Sequence, residues 1–189
     1  SRSRASIHQI EEGVAVVGEN PEHTILRWDG TNGGTMFQWD AWYSKVSRLT
    51  FDGAGRAGTA LFYGPAFSTY NETSDLIFRD ATNGLVFGGP KTQGQAENSV
   101  LRCQFLRCTT GIQTVNWNSM DIWVWYGRFE DCERGVHNVM GNWHVWESCF
   151  LRSRLADLSS INLMAFSAVN NTSVGSRRFF DFSTGHSWG

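Results

Sequence analysis

The sequence lacks long apolar runs, a strong net charge and metal-binding motifs. Each absence reduces the number of partners and cofactors that we expect the protein to have. Its apolar runs stay far below the stretch of about 18 residues that a membrane-spanning helix needs, so we expect no membrane partner. The formal net charge of −2 gives no reason to expect nucleic acid or an anionic membrane as a partner. There is no C-x-x-C pair, and no histidines cluster with the cysteines at zinc-site spacing, so neither a metal nor another cofactor is expected.

Helix-forming residues are sparse as well, and what replaces them is typical of an all-β protein. The 189 residues include 20 glycines, 13 phenylalanines and 9 tryptophans, with Asn, Ser and Thr between short apolar runs. This length suits one domain, which we place at residues 1–189. The chain begins with Ser1 and shows no secretory leader, so we expect a mature or trimmed product, or a segment of a longer polypeptide.

A seven-residue signature, aromatic-x-x-small-x-x-Gly, returns along the chain at intervals of 21 to 29 residues. A fixed period in this range is typical of a solenoid, in which each coil buries its apolar face only by stacking on its neighbours. We therefore predict an all-β solenoid of about six to seven coils. Copies start at Trp28, Phe78, Phe105 and Phe129, a degenerate copy starts at Phe150, and Phe51 and Phe179 fit the pattern as well.

Two further columns indicate that the coils stack in register. The position five residues before the aromatic is β-branched in successive coils, as suits a strand that faces a core. The position two residues after the aromatic alternates in charge. In-register parallel strands lie about 4.8 Å apart, so this alternation makes opposite charges neighbours. The β-branched residues are Val46, Thr73, Val100, Val124, Val145 and Val174, and the charged ones are Asp80, Arg107, Asp131 and Arg152.

The cysteines fit the same repeat. Cys108 and Cys132 occupy the small position of consecutive copies, where Ala81 and Ser153 also fall. The simpler interpretation is a ladder of small buried side chains with free thiols. The alternative is a disulfide, either between Cys108 and Cys132 or between Cys103 and Cys149, as secreted proteins often contain.

The order "strand, Phe-x-x-Cys-x-x-Gly-Ile, strand", clearest over residues 98–112, resembles the right-handed parallel β-helix of the pectate-lyase-like superfamily. The resemblance covers residues 23–158, and residues 155–178 look like an irregular coil. It implies an extended cleft beside one sheet that accepts a polymer, usually a glycan, and an extracellular or cell-surface location. The superfamily's local hydrolase motifs and acidic calcium cluster do not occur here, so the resemblance indicates a fold rather than a reaction.

The loops that follow each Gly-led strand vary most in length, and such loops commonly form the binding face of a solenoid. They are also rich in Asn and Trp, which can hydrogen-bond sugar hydroxyls and stack on sugar rings. An alternative applies to Trp125 and Trp146, which would share a column and pack on each other outside a sheet. The predicted ligand-binding residues are Asn116, Trp117, Asn118, Asn138, Asn142 and Trp143.

Acid/base chemistry needs a proton acceptor and a partner at one place on the cleft. His137, Asp121 and Lys91 are the candidates, because together they would supply a base, a carboxylate and a cation for a uronate substrate. The alternative is that all three are solvated loop groups. Asp80, Asp131 and Glu147 fit charge ladders better than a pair of hydrolytic carboxylates.

Three functions remain open at this point. The first is a lyase or glycoside hydrolase that acts on a polysaccharide or oligosaccharide. The second is a noncatalytic glycan-binding or adhesive β-helix. The third is a structural segment of a spike or filament, since no capping helix is evident and open solenoid ends invite stacking. Homo-oligomerisation or covering by flanking domains is expected on the same ground.

Overall fold

The chain forms an all-β solenoid of about six turns, built from parallel strands, in a computed structural model that describes residues 6–10, 13–89, 91–162 and 165–182. The side chains of residues 6–10 are not described. No helix occurs in the described ranges. The predicted all-β β-helix of stacked coils is therefore confirmed, and each coil contributes one strand to each of three long sheets.

The first two sheets run the length of the solenoid, and all their strand pairs are parallel. Sheet I contains β1 (Ser6–Ile10), β4 (Thr35–Ala41), β7 (Thr59–Tyr63), β11 (Asn83–Phe87), β15 (Thr110–Thr114), β19 (Arg134–Asn138), β22 (Ala156–Ser160) and β25 (Phe180–Asp181). Sheet II contains β2 (Ala15–Val17), β5 (Lys45–Ser47), β9 (Glu72–Ser74), β13 (Ser99–Leu101), β17 (Ile122–Trp125), β20 (Trp143–Trp146) and β23 (Phe166–Val169).

A third long sheet and one short sheet complete the coils. Sheet III contains β3 (Ile25–Arg27), β6 (Thr50–Asp52), β10 (Ile77–Arg79), β14 (Gln104–Leu106), β18 (Arg128–Glu130), β21 (Cys149–Leu151) and β24 (Thr172–Val174). Sheet IV contains β8 (Ser68–Thr69), β12 (Gln95–Ala96) and β16 (Ser119–Met120), and lies between sheets I and II along the chain. The segment from residue 155 to residue 178, which we expected to be irregular, supplies β22, β23 and β24 and so continues the three long sheets.

The aromatic residue of the repeat forms a continuous stack on the inner side of sheet III. Successive rings, from Phe51 through Phe78, Phe105 and Phe129 to Phe150, have centroids 5.4, 4.9, 4.8 and 4.7 Å apart and lie within 8° of parallel. All five side chains are fully buried. Strand register places these residues directly opposite one another. The spacing between these five residues is therefore the length of one coil. The predicted copies at Trp28 and Phe179 do not continue the register, because Leu26 is the partner of Phe51 and Ser173 is the partner of Phe150.

The glycine of the repeat is required by the same stack. A Cβ at Gly111 would lie 2.7 Å from the Phe129 ring and 2.6 Å from the Gly135 carbonyl oxygen. Gly84 has the same relation to Phe105 and to the Gly111 carbonyl. Both distances are shorter than real carbon contacts, so any larger residue would push the next coil away. The glycine column is thus required because the aromatic rings of the next coil occupy the space that a Cβ would need.

The alternating charges lie at the corners of the coil rather than within the strands. Between sheets III and I the corner residue is Asp80, Arg107, Asp131 or Arg152, each with a positive φ of 53–57°. Arg107 contacts Asp80 at 2.8 Å, and Arg152 contacts Asp131 at 2.8 Å. The hydrogen bond from Arg152 lowers the pKa of Asp131. The predicted register is confirmed for this charged column, and the ion pairs lie at turns with left-handed backbone conformation. The prediction is wrong for Val174, which is exposed on β24, since Ala168 is the register partner of Val145.

All four cysteines are free thiols, so the interpretation without a disulfide is the one found. Cys103, Cys108 and Cys132 are fully buried. Burial raises the pKa of Cys103 to about 12, which leaves its thiol protonated and unreactive at neutral pH. These side chains fill small interior spaces, as cysteine does in many cores.

Removing one ring from the middle of the aromatic stack should be costly. Phe105 lies 4.9 Å from Phe78 and 4.8 Å from Phe129, so Phe105→Ala opens a cavity that the rigid coils cannot close. We expect a loss of about 3–5 kcal/mol in the free energy of unfolding, measured by urea denaturation. Tyr126→Ala, at an exposed corner, is the control and should change it by less than about 0.5 kcal/mol. A loss below about 1 kcal/mol for Phe105→Ala would contradict the role of the stack.

Candidate functional site

The outer face of sheet II carries a cluster of aromatic side chains. Val124 and Val145 point into the core, so the alternation along β17 and β20 turns Trp123, Trp125, His144 and Trp146 outward. Register makes Trp123 the partner of His144, and Trp125 the partner of Trp146. All four are partly exposed. We call them the sheet II platform.

The rings of the sheet II platform contact one another in several geometries. Trp123 stacks on His144 with centroids 4.0 Å apart and on Trp125 at 5.5 Å. Trp146 meets Trp123 edge-on at 5.6 Å and Trp125 at 6.2 Å. The column shared by Trp125 and Trp146 is therefore confirmed. Their mutual packing leaves part of each ring at the surface and holds the rings in fixed orientations, because each touches at least one other.

A chain of polar contacts runs through His144. His144 Nδ1 lies 2.8 Å from Ser167 Oγ, and Trp146 Nε1 donates a hydrogen bond to the same Oγ at 2.7 Å. On the other side of the ring, His144 Nε2 lies 3.5 Å from Asp121 Oδ1. Asn142 Nδ2 donates to that carboxylate oxygen at 3.1 Å, and Asn142 Oδ1 accepts the Asp121 backbone N–H. The histidine thus has a hydroxyl on one nitrogen and a carboxylate on the other.

A shallow depression of about 230 Å³ adjoins the sheet II platform. Ser99 is the register partner of Trp123, and Leu101 is the partner of Trp125, so the indoles lie at one side of this depression. Lys45 forms an ion pair with Glu72 at 2.9 Å, and hydrogen bonds from Ser74 and Lys45 lower the pKa of Glu72. The depression therefore presents ionised carboxylate and small polar groups. Its lining residues are Tyr70, Asn71, Glu72, Glu97, Ser99 and Leu101.

Two of the predicted ligand-binding residues lie inside the solenoid. Asn138 is 1% exposed, accepts a hydrogen bond from Thr114 Oγ1 at 2.6 Å and donates to the Gly141 carbonyl at 3.1 Å. Trp143 is also 1% exposed and stacks on Phe166 at 5.1 Å. We expected both at the loop-rich surface. Neither side chain offers surface to a ligand in this structure.

Two other predicted asparagines hold the backbone of neighbouring coils. Asn116 is buried, and its Nδ2 donates to the carbonyl oxygens of Thr92 at 2.7 Å and Gly89 at 3.1 Å. Asn142 is buried against Asp121 through the two hydrogen bonds given above. Their amides are occupied by the protein itself, and of the two only Asn142 reaches a member of the polar chain.

The remaining loop residues lie after the sheet I strands. Trp117 is 67% exposed, on the loop between β15 and β16. Asn118 beside it donates through Nδ2 to the Gln93 carbonyl at 3.1 Å. Lys91 is exposed on the loop between β11 and β12. Trp117, Asn118 and Lys91 therefore lie on the loops that connect sheet I to sheet IV.

The predicted catalytic residues are not joined by contacts within the described ranges. His137 points outward from sheet I, and its Nδ1 lies 2.8 Å from Ser159 Oγ. Asp121 instead faces His144 and lies directly before β17 of sheet II. Lys91 lies one coil before Asp121 and two coils before His137. The histidine beside Asp121 is therefore His144, which is not among the predicted catalytic residues.

The four residues of the sheet II platform could have been selected from the sequence. Val124 and Val145 were already assigned to an inward column, so strand alternation puts every second neighbour outside. That rule selects Trp123, Trp125, His144 and Trp146 without any structure. Ser167 and the depression carried no such signal, because the inward residue of β23 is Ala168 rather than a β-branched residue and the depression depends on side chains from two coils.

No family model matches the chain, and neither a curated protein nor a solved structure shows significant similarity to it. Across the residues that the structure describes, no group of three or more His, Cys, Asp or Glu side chains is arranged to hold a metal ion. The same residues include no helix long and apolar enough to cross a bilayer. The class of protein defined so far is thus a parallel β-solenoid with an aromatic outer face.

The environment of His137 predicts a dependence of stability on pH. Burial lowers the pKa of His137 from 6.5 to about 4. Above pH 6.5 the imidazole is neutral in both states, whereas between about pH 6.5 and 4 the unfolded chain binds a proton that the folded chain does not. Stability should therefore fall as the pH drops through this window.

Replacing His137 with glutamine should reduce this pH dependence. Gln113 already occupies the same outward column one coil earlier, so His137→Gln should be accommodated. We expect its urea midpoint to fall less than that of the unmodified chain between about pH 6.5 and 4.5. His23→Gln removes an exposed histidine and controls for a general effect. Equal slopes for His137→Gln and the unmodified chain would show that His137 makes no contribution.

Proposed function

We propose that this protein binds a polysaccharide along the outer face of sheet II. The observation that carries the proposal is the sheet II platform beside the 230 Å³ depression. Sugar rings present C–H faces that pack on indoles, and their hydroxyls need polar partners close by. Ser99, Glu72 and Glu97 supply such partners next to Trp123.

The dimensions of this face suit a polymer better than a single sugar. Sheet II presents strands β5, β9, β13, β17, β20 and β23 side by side. Five spacings of about 4.8 Å give a strip roughly 24 Å long. The depression is open and shallow, and the aromatic rings lie along the strip rather than at the bottom of a closed pocket. An extended chain that contacts several coils fits this shape.

The charge of the strip favours a neutral polysaccharide. Glu72, Glu97 and Asp121 lie along it, and the lysine at its start, Lys45, is neutralised by Glu72. Glu97 and Asp121 would therefore repel a uronate polymer, whereas Lys45 and Glu72 already balance each other. We therefore propose a neutral polysaccharide as the ligand, instead of the uronate substrate that His137, Asp121 and Lys91 suggested.

The finer family assignment remains part of the proposal. The Phe stack, the Gly column and the corner ion pairs support a coil of the pectate-lyase-like type, whose members commonly bind glycans beside one sheet. On the same ground we assign the protein to an extracellular or cell-surface location, where such polymers occur. Binding alone needs no acid or base, so this function is independent of any catalytic role.

Substitution of Trp123 should weaken binding. Trp123 touches both Trp125 and His144 and borders the depression, so Trp123→Ala removes the centre of the surface. We expect a loss of affinity of about tenfold, equivalent to roughly 1.4 kcal/mol, by isothermal titration calorimetry with neutral polysaccharides such as xylan and glucomannan. Polygalacturonate should bind more weakly than either.

The variant Trp117→Ala tests whether the loops, rather than the sheet II platform, bind the polysaccharide. Trp117 is more exposed than the platform rings but lies on the loop between β15 and β16. Its removal should leave affinity unchanged. If Trp117→Ala weakened binding and Trp123→Ala did not, the loops would be the binding site. If no polymer in the panel bound the unmodified chain, the proposed function would be wrong.

A further inference from the structure

One end of the sheet II platform carries a serine, a histidine and an aspartate in contact. Trp146 Nε1–H can only donate, so Ser167 Oγ accepts its hydrogen bond at 2.7 Å. The Ser167 hydroxyl hydrogen is then free to bond His144 Nδ1 at 2.8 Å. With Nδ1 as acceptor, the neutral imidazole carries its proton on Nε2, which faces Asp121 Oδ1 at 3.5 Å. The tautomer thus follows from the contacts.

This order of groups is the one that activates a serine for nucleophilic attack. A base within hydrogen-bond reach takes the hydroxyl proton, and a carboxylate on the far nitrogen orients the ring and stabilises its protonated form. Such contacts are often looser without substrate, so 3.5 Å between Nε2 and Oδ1 leaves room to tighten. Asn142 holds the carboxylate in place through Nδ2 at 3.1 Å.

We propose that Ser167, His144 and Asp121 form a catalytic triad that hydrolyses acyl esters carried on a polysaccharide. The inference rests on the proposed function, because the sheet II platform is what brings an acylated polymer to Ser167. Trp146 contacts Ser167, and Trp123 stacks on His144, so the sugar-binding and reacting groups share one surface. The substrate class is therefore an O-acylated sugar rather than a glycosidic bond.

The reaction needs only the polymer and water. Ser167 Oγ forms a bond to the acyl carbon, its proton passes to His144 Nδ1, and the carbonyl electron pair becomes an oxyanion. Trp146 Nε1–H, which already points at Oγ, can shift to donate to this oxyanion. The intermediate then breaks the bond between the acyl carbon and the sugar oxygen, which takes the proton from His144. Water attacks the acyl-serine with His144 as base, releases the carboxylic acid and restores Ser167.

The chain contains a second serine–histidine contact that serves as a control. Ser159 Oγ lies 2.8 Å from His137 Nδ1 on sheet I. Ser159 is only 3% exposed and also donates to the Val136 carbonyl at 3.4 Å. A buried serine cannot reach a polymer or a large probe. The pair therefore repeats the oxygen–nitrogen distance of Ser167 and His144, but its serine is buried and gives its hydrogen to a backbone carbonyl.

The test combines a covalent probe with acetate release. We expect a fluorophosphonate probe to label Ser167, identified by peptide mass spectrometry, and the chain to release acetate from acetylated xylan. Ser167→Ala should remove the label and lower acetate release at least 100-fold, and Asp121→Asn should lower it at least tenfold. Ser159→Ala should match the unmodified chain in both readouts. Circular dichroism checks that each variant is folded.

The outcomes separate this inference from the proposed function. Ser167→Ala should still bind deacetylated xylan, because it leaves the indoles in place. If the unmodified chain binds xylan through Trp123 but gives neither label nor acetate, the triad is wrong and the binding function stands. Labelling of a different serine, or acetate release that survives Ser167→Ala, also overturns the triad. If no polymer of the panel binds the unmodified chain, both conclusions fail.

Discussion

The structure depends on one constraint: each coil must place the same side chain over the same side chain of the coil below. Five phenylalanines stacked within 8° of parallel show how closely this is met. The spacing leaves no room for a Cβ at Gly84, Gly111 or Gly135. The charged corners follow from the same register, because a left-handed turn at an equal point in each coil brings Asp80 beside Arg107. Sheets, corners and core are thus consequences of stacking.

The features that could be predicted from the sequence are those that recur in every coil. The Phe, small and Gly columns and the sign alternation each recur once per coil, so chance cannot easily imitate them. Trp143 and Asn138 were assigned to a binding surface because they lie near variable loops. Strand parity opposes that assignment: Trp143 is in phase with Val145, and Asn138 is in phase with Val136, and both valines face the core. Parity along a strand is a stronger guide here than proximity to a loop.

What could not be predicted is contact between coils at positions that do not repeat. Asp121, His144 and Ser167 come from three successive coils, and each differs from its equivalents above and below. No repeated motif marks them, and His144 and Ser167 are 23 residues apart because that is the length of one coil at this point. The proposed function and the triad both lie on this non-repeating part of sheet II. The regular core gives such residues fixed positions without encoding what they do.

The parallel pairing of all three long sheets has a mechanical consequence. Hydrogen bonds between coils point along the solenoid axis. Tension along that axis therefore acts directly on these bonds and would break them one coil after another. A polymer lying along sheet II would cross several of these seams at once. A bound polysaccharide would then carry part of the tension between neighbouring coils through its contacts with Trp123, Trp125 and Trp146. Ligand occupancy and resistance to stretching would rise together.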